Sequence, residues 1–209
     1  MPRAGLSTQR VVEVAAVVAD EVGWDRLSLA AVAARAGVRL PSLYKHIASL
    51  DALRDGVSVL ALHQLAEELT KAVLGRSGSE ALMALAGTYR QFARDFPGRY
   101  AATLAAPGAD DPAHAEAAEA VMRVVSATLA GYDLDGDDAV DATRALRSAL
   151  HGFVSLEAAG GFGLPVDVDR SYRRLVEGVD VMLPGFRRRP SGPRPARRPR
   201  SRAPRAAPD

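Results

Sequence analysis

The sequence predicts an all-α protein of about nine helices that ends in a disordered basic tail. Three observations predict it. Apolar residues recur at helical spacing along almost the whole chain, strict alternation over a strand's length is not found, and turn-forming residues separate the stripes.

The first stripe, Val11, Val14, Ala15, Val18 and Val22, stops at Gly23. From 28 to 47 the chain reads SLAAVAARAGVRLPSLYKHI. Ser28 is a good N-cap, Leu29, Val32 and Ala33 form a small apolar face, and Gly37 permits the left-handed conformation that ends a helix abruptly. A short second helix follows, with Pro41 in its first turn, where a missing N–H costs nothing. Two stripes run along 50–74, Leu53–Val57–Leu60 and Leu62–Ala66–Leu69–Val73, so this helix packs against two partners, as a connector between two domains does. Four later stripes complete the set: Leu82–Leu85–Ala86–Tyr89–Ala93–Phe96, Ala118–Val121–Met122–Val125–Leu129, Thr143–Leu146–Leu150–Phe153, and Tyr172–Leu175–Val176–Val179–Leu183. Breakers at 75–78, 97, 107–112, 132–136 and 160–165 divide them.

Composition bounds the function. The 209 residues allow one domain or two small ones, and 48% hydrophobic with 25% charged residues is ordinary for a folded chain. The absence of cysteine removes disulfides, thiolate zinc sites, iron–sulfur clusters and cysteine nucleophiles, and suits a reducing cytoplasm. No apolar run approaches the ~20 residues that cross a bilayer, so no membrane partner is expected. Charge is unevenly placed. Nine arginines against one acid leave 185–209 at +8, residues 1–60 carry +1, and 61–184 carry −7. The tail has almost nothing apolar to bury and cannot offset its ordering entropy. These shifts divide the chain into an N-terminal helical unit (1–50), a larger helical domain (51–184) and an Arg/Pro-rich tail (185–209).

Two short helices joined by a glycine turn form the helix-turn-helix unit, whose second helix fits a DNA major groove. The hairpin pattern alone is shared by many alanine-rich helices. From 8 to 60 more is present: a long first helix closed by Gly23-Trp24, then Gly37, Val38, Ser42, Leu43, Tyr44, His46, Ser49, Ala52 and Leu53 at fixed spacing. In these residues the chain resembles the TetR family of bacterial transcriptional regulators. The resemblance implies a three-helix reading domain, a C-terminal domain dimerising through its last two long helices, and a small-molecule pocket. HGFVSLEAAGGF at 151–162 resembles the family's Trp-His-Gly variant, with Leu150 in place of the tryptophan. Leu50 stands where the family often has a phosphate-reaching lysine, and Arg39, Leu40 and Pro41 replace the commoner residues, so base preference does not transfer.

Residue roles follow from the resemblance and from chemistry. The resemblance sets Tyr44 and His46 against phosphates, and Lys45 supplies a cation for a phosphate or a guanine edge. The alternative for Tyr44 is inward packing, and for His46 a helix cap. Arg39, Leu40 and Ser42 face base edges if docking follows the family, and Ser28 caps its helix while aiming that N-terminus at a phosphate. Trp24 reads as core. Met83, Tyr89, Phe92, Phe96, Tyr100, Met122 and Phe153, with His151 from the Trp-His-Gly resemblance, are the candidate pocket for a hydrophobic effector. Leu146, Leu150, Phe153, Tyr172, Leu175, Val176 and Val179 are the candidate dimer interface.

Other chemistries fail on their residues. Asp133, Asp135, Asp137 and Asp138 do not make a calcium loop, because its sixth place is Asp138 and its twelfth Arg144, and they suit a helix start instead. Catalytic constellations, cofactor fingerprints and metal clusters are not expected. The expected function is therefore a homodimeric repressor that binds a near-palindromic duplex operator and answers to a ligand. The alternative is a DNA-binding adaptor or architectural protein without an effector. A helical enzyme acting on a hydrophobic substrate is a third, weaker reading.

Deleting residues 187–209 is expected to leave the thermal unfolding midpoint nearly unchanged. If the arginines touch phosphates, the slope of log affinity against log salt shrinks by about 0.9 per lost contact, and an unchanged slope makes the tail a bystander.

Overall fold

Serine and glycine set the boundaries of the N-terminal helices. The hydroxyls of Ser7, Ser28 and Ser49 accept the backbone N–H groups of Arg10, Ala31 and Ala52, each occupying a donor left orphaned in a first helical turn. The computed structural model describes residues 6–105 and 111–187. Among them are nine α-helices and no strand: α1 (Thr8–Val22), α2 (Leu29–Ala36), α3 (Leu40–Leu43), α4 (Leu50–Val73), α5 (Gly78–Asp95), α6 (Pro97–Ala102), α7 (Pro112–Ala130), α8 (Gly136–Ala158) and α9 (Val168–Met182). Short 3-10 turns lie at Trp24–Arg26 and Leu183–Phe186. The all-α expectation holds, and Asp137 and Asp138 sit in the first turn of α8, where carboxylates oppose the helix dipole. Residues 188–209, most of the expected basic tail, lie outside the described residues.

Two apolar cores share one helix. The first joins α1, α2, α3 and the front of α4 through Val11, Ala15, Val32, Leu43, Leu53 and Val57. Trp24 packs half-buried against it, with the Arg54 guanidinium 5.9 Å from its ring centre. The second core gathers Leu65 and Leu69 of α4 with Leu82, Leu85, Leu129, Leu146, Leu150, Val176 and Leu183. Each stripe of α4 thus meets a different partner set.

Most residues of the expected subunit seam lie in this core. Leu146, Leu150, Tyr172, Val176 and Val179 are at most 4% exposed and face the interior of their own chain, while Phe153 and Leu175 pack half-buried at its edge. A chain that folds before it meets a partner buries its strongest apolar faces on itself. What α8, α9 and the turn between them leave outside is different: Leu156, Leu164, Val166, Val181 and Met182, with Gly152 and Gly178 open to added atoms.

Helix α6 is seated directly on α1. A Cβ on Gly98 would fall 2.1–2.5 Å from the backbone of Ala19 and Asp20, so only a glycine allows this approach. Asp20 accepts the Arg99 backbone N–H at 2.9 Å and lies 3.0 Å from the Arg99 Nε, which is not aligned to donate, so that second contact is Coulombic. Burial pushes the Asp20 carboxyl up, and its bonds to Arg99 pull it back. The Arg99 guanidinium also reaches Gln64 of α4 at 3.3 Å and stacks 4.4 Å from the Phe96 ring centre.

A second buried arginine clamps the C-terminal helices. Arg90 of α5, only 7% exposed, donates to Glu157 of α8 at 2.8 and 2.6 Å and to Asp169 of α9 at 2.8 Å. Its guanidinium lies 4.7 Å from the Tyr172 ring centre, and this bidentate grip holds the Glu157 carboxyl below its usual range.

Gly98→Ala is expected to destabilise the fold by roughly 1–3 kcal/mol or more, the range of overpacking against a wall that cannot move. Gly87→Ala, in the middle of α5 with open space around it, is expected to stabilise by about 0.5–1 kcal/mol instead. Midpoints of denaturant unfolding check both signs.

Candidate functional site

The hairpin of α2 and α3 is built by local rules. Gly37 adopts φ 69°, ψ 29°, and the N–H of Val38 returns to the Ala33 carbonyl at 3.0 Å, which closes α2 in one residue. Arg39 then occupies the N-cap of α3, and Pro41 lies in its first turn. The second helix is shorter than the sequence suggests. It has one α turn, and Tyr44, Lys45 and His46 continue it as a hydrogen-bonded turn in which Ile47 N–H still reaches the Leu43 carbonyl at 2.9 Å.

Two apolar anchors hold this short element. Leu43 is fully buried and Ile47 nearly so, both in the first core. Their fixed positions turn the intervening side chains outward. Tyr44 is 55% exposed, so inward packing is ruled out for it, and Arg39, Leu40 and Lys45 are exposed beside it. Ser42 and His46 are half-buried, and the Thr8 hydroxyl donates to the His46 carbonyl at 3.1 Å, tying the end of the element to the start of α1. Ser28 caps α2 as expected, which fixes that helix's N-terminus.

Charge pairing separates these cations from their neighbours. Arg10 pairs with Glu13 at 3.1 Å and Arg35 with Glu21 at 3.2 Å. Arg39 and Lys45 form no ion pair with any described carboxylate, so the face carrying Tyr44 presents two uncompensated positive charges. Such a surface is suited to phosphates.

A cavity of about 250 Å³ lies in the larger core, walled by Leu62, Leu65, Leu69, Leu85, Val121, Val125, Leu146 and Leu150, with Tyr89, Thr143 and Arg147 as its main polar groups. Of the eight residues expected to line it, Tyr89 and Met122 do so. Phe92 is buried in the core, stacked edge-on against Phe96 at 5.3 Å, and Met83 packs at the core's edge. Phe153 lies between Phe162 and Tyr172. Tyr100 stands one hydrogen bond behind the wall and His151 two: the Tyr89 and Tyr100 hydroxyls are 3.0 Å apart, and Tyr100 reaches His151 Nδ1 at 2.6 Å. Burial raises both phenols, and the nearby Arg147 charge opposes it. Thr143, which opens the apolar stripe of α8, and Arg147, which no sequence pattern singles out, are the polar residues that this helix brings to the cavity. Among the described residues no cluster of three or more His, Asp or Glu is placed to hold a metal ion, and no helix is long and apolar enough to cross a membrane.

Residues 82–179 match the family model described as the tetracyclin repressor-like C-terminal domain. Over 174 residues, 83% of this chain and 79% of the relative, the sequence is 38% identical to an uncharacterised HTH-type transcriptional regulator of Mycobacterium tuberculosis. The fold superposes on a protein of unknown function from Rhodococcus sp. RHA1 with a TM-score of 0.70 and 28% identity, covering 87% of this chain and 97% of the other. It also superposes on a TetR variant from Acinetobacter baumannii solved with minocycline, at 0.61 and 24%, covering 87% and 97%.

Proposed function

The chain belongs to the TetR family of transcriptional regulators, and from that membership we propose a homodimeric repressor that reads a near-palindromic operator and releases it when a small hydrophobic molecule binds. One observation carries the reading: Arg39, Tyr44 and Lys45 stand exposed, the two cations unpaired among described residues, on an element locked from beneath by Leu43 and Ile47. An exposed surface held this rigidly costs little further ordering when it meets a phosphate backbone. Arg39, Leu40 and Ser42 are then the base-facing group, with Ser28, Tyr44, Lys45 and His46 on the phosphates.

Ligand response has a physical route. The cavity wall includes Thr103 at the end of α6, and Tyr89 in the wall bonds Tyr100 within it. The same short helix is seated on α1 through Gly98 and Arg99. A ligand that prefers one position of α6 therefore prefers one position of the reading unit, which is the coupling a repressor needs. That the A. baumannii TetR variant, which shares this fold, was solved with minocycline supports small-molecule binding on such a scaffold.

The second copy is assigned to the outer face of α8 and α9. Ala145, Ala149, Gly152 and Leu156 recur at intervals of four and three along α8, and Gly178, Val181 and Met182 lie on the solvent side of α9. Small residues allow close helix approach, and Val181 is 81% exposed in the single chain. Pairing these faces with a symmetry mate makes a four-helix seam and sets the distance between two reading heads.

DNA recovered from a random pool by the protein supplies the operator. Replacing Tyr44 and Lys45 by alanine is expected to cost at least about 2 kcal/mol of affinity for it, with circular dichroism and sedimentation unchanged. Unaltered binding would remove this element from the interface. Stabilising ligands that never weaken operator binding would favour the adaptor without an effector.

Val181→Asp is expected to yield folded monomers in sedimentation and weak operator binding. Val176→Asp, which buries a charge in the chain's own core, is expected to unfold the protein. A dimeric Val181→Asp protein would place the seam elsewhere.

A further inference from the structure

We infer that the cavity takes an amphiphilic monoanion, a short-chain carboxylate whose acid group is held by Arg147 and Thr143 and whose apolar chain fills the space between α4, α5, α7 and α8. The inference rests on the ligand-responsive reading and names the chemical class of the effector.

Among the described residues the cavity lining contains no Asp or Glu, although residues 61–184 carry a net −7, and its one charged side chain among them is Arg147. Arg147 forms no ion pair and no hydrogen bond with any described residue, whereas the buried Arg90 donates to Glu157 and Asp169 and the half-buried Arg99 lies against Asp20. Thr143 lies one helical turn before Arg147 on the same wall of α8, and its hydroxyl has no hydrogen-bond partner among the described residues. A guanidinium and a hydroxyl at this spacing are the donors a carboxylate takes.

Depth and rim have opposite character. Leu65, Leu85, Leu146 and Leu150 are buried at the inner wall, while Arg147, Met122 and Leu104 are exposed and mark the side open to solvent. A ligand with an apolar chain inside and a charged head at the rim keeps its charge partly hydrated and avoids the cost of burying it unpaired. A cationic head would face Arg147 with no acid among the described lining residues to offset it. At about 250 Å³ the cavity falls below the ~300–1,000 Å³ of sites for drug-sized molecules, which sets a small ligand.

Octanoate, 1-octanol and octylamine share one chain and differ in the head, so calorimetric titration of the full-length protein with each isolates the charge. Octanoate is expected to bind at least about ten-fold more tightly than octanol, the loss typical of one charge-assisted hydrogen bond, and octylamine most weakly. Arg147→Gln should abolish the preference while octanol binding, which reports an intact cavity, stays within about two-fold; Arg147→Lys should restore part of it. Octanol binding as tightly as octanoate, an unaffected Arg147→Gln protein, or no binding by any of the three overturns the inference. The same titrations repeated against the selected DNA distinguish the two readings. Octanoate that binds through Arg147 yet leaves DNA affinity unchanged sinks ligand response and spares this site. Octanol that loosens DNA while octanoate does not bind sinks this site and spares ligand response.

Discussion

The contact on which the rest of the structure depends is the seating of α6 on α1. It joins the helix that opens the N-terminal unit to one that borders the cavity, and it does so over bare backbone, because Gly98 leaves no atom between the two. Backbone-to-backbone packing is stiff: there is no side chain to change rotamer and absorb a shift. The Arg99 N–H on the Asp20 carboxylate fixes the register, and the Arg99 stem and guanidinium lie over Phe96 and Gln64. Displacing α6 by an ångström must therefore move α1, lose these contacts, or both. Since Thr8 of α1 holds the His46 carbonyl, α1 carries the end of the α3 element with it.

Two other devices make the larger core a rigid frame for that lever. Helix α4 contributes to both cores, so the units cannot hinge at a loop without bending a continuous helix of 24 residues. Arg90 fastens α5 to α8 and α9 through three charge-assisted hydrogen bonds and a stacked aromatic ring. A buried arginine of this kind is costly unless every donor is engaged, and its worth lies in fixing which helices meet rather than in raw stability. Both faces of α8 depend on it: Glu157 is one residue from Leu156 on the outer face, and the same helix carries Arg147 to the cavity.

How much of this was legible in the sequence follows from the range of each signal. Helices and their ends are local, and Ser28, Gly37, Pro97 and the breaks at 75–78 and 132–136 marked them within a residue or two. The reading element was legible because its residues are contiguous, although its length was not: nothing in LPSLYKHI says that α geometry closes after Leu43. The cavity was not legible. Its wall takes one or two faces from each of several helices, and the space left between them is set by how those faces meet, which no single period encodes. Aromatic residues were a poor guide because rings pack well against one another, and Phe92, Phe96 and Phe153 are spent that way. The strongest stripes of α8 and α9 line the chain's own core for a related reason. A pattern reports how apolar a face is, and the most apolar face goes to the chain's own core before any partner arrives.

On the proposed reading, α8 sits at the junction of two functions, and its geometry explains how. At about 100° per residue, Arg147 and Thr143 lie on one side of the helix and Ala145, Ala149, Gly152 and Leu156 on nearly the opposite side, with Leu146 and Leu150 between them in the core. A ligand head gripping Arg147 therefore pulls on the helix that also faces the second copy, while the ligand chain presses on Thr103 and Tyr89, next to α6. The two outlets need not be equal. The outer face of α8 is a small-residue surface that slides at low cost, whereas α6 on α1 is locked by backbone and an ion pair. Changes in head spacing should then appear first as a rotation between copies, and only with stronger ligands as a shift of α6 against α1.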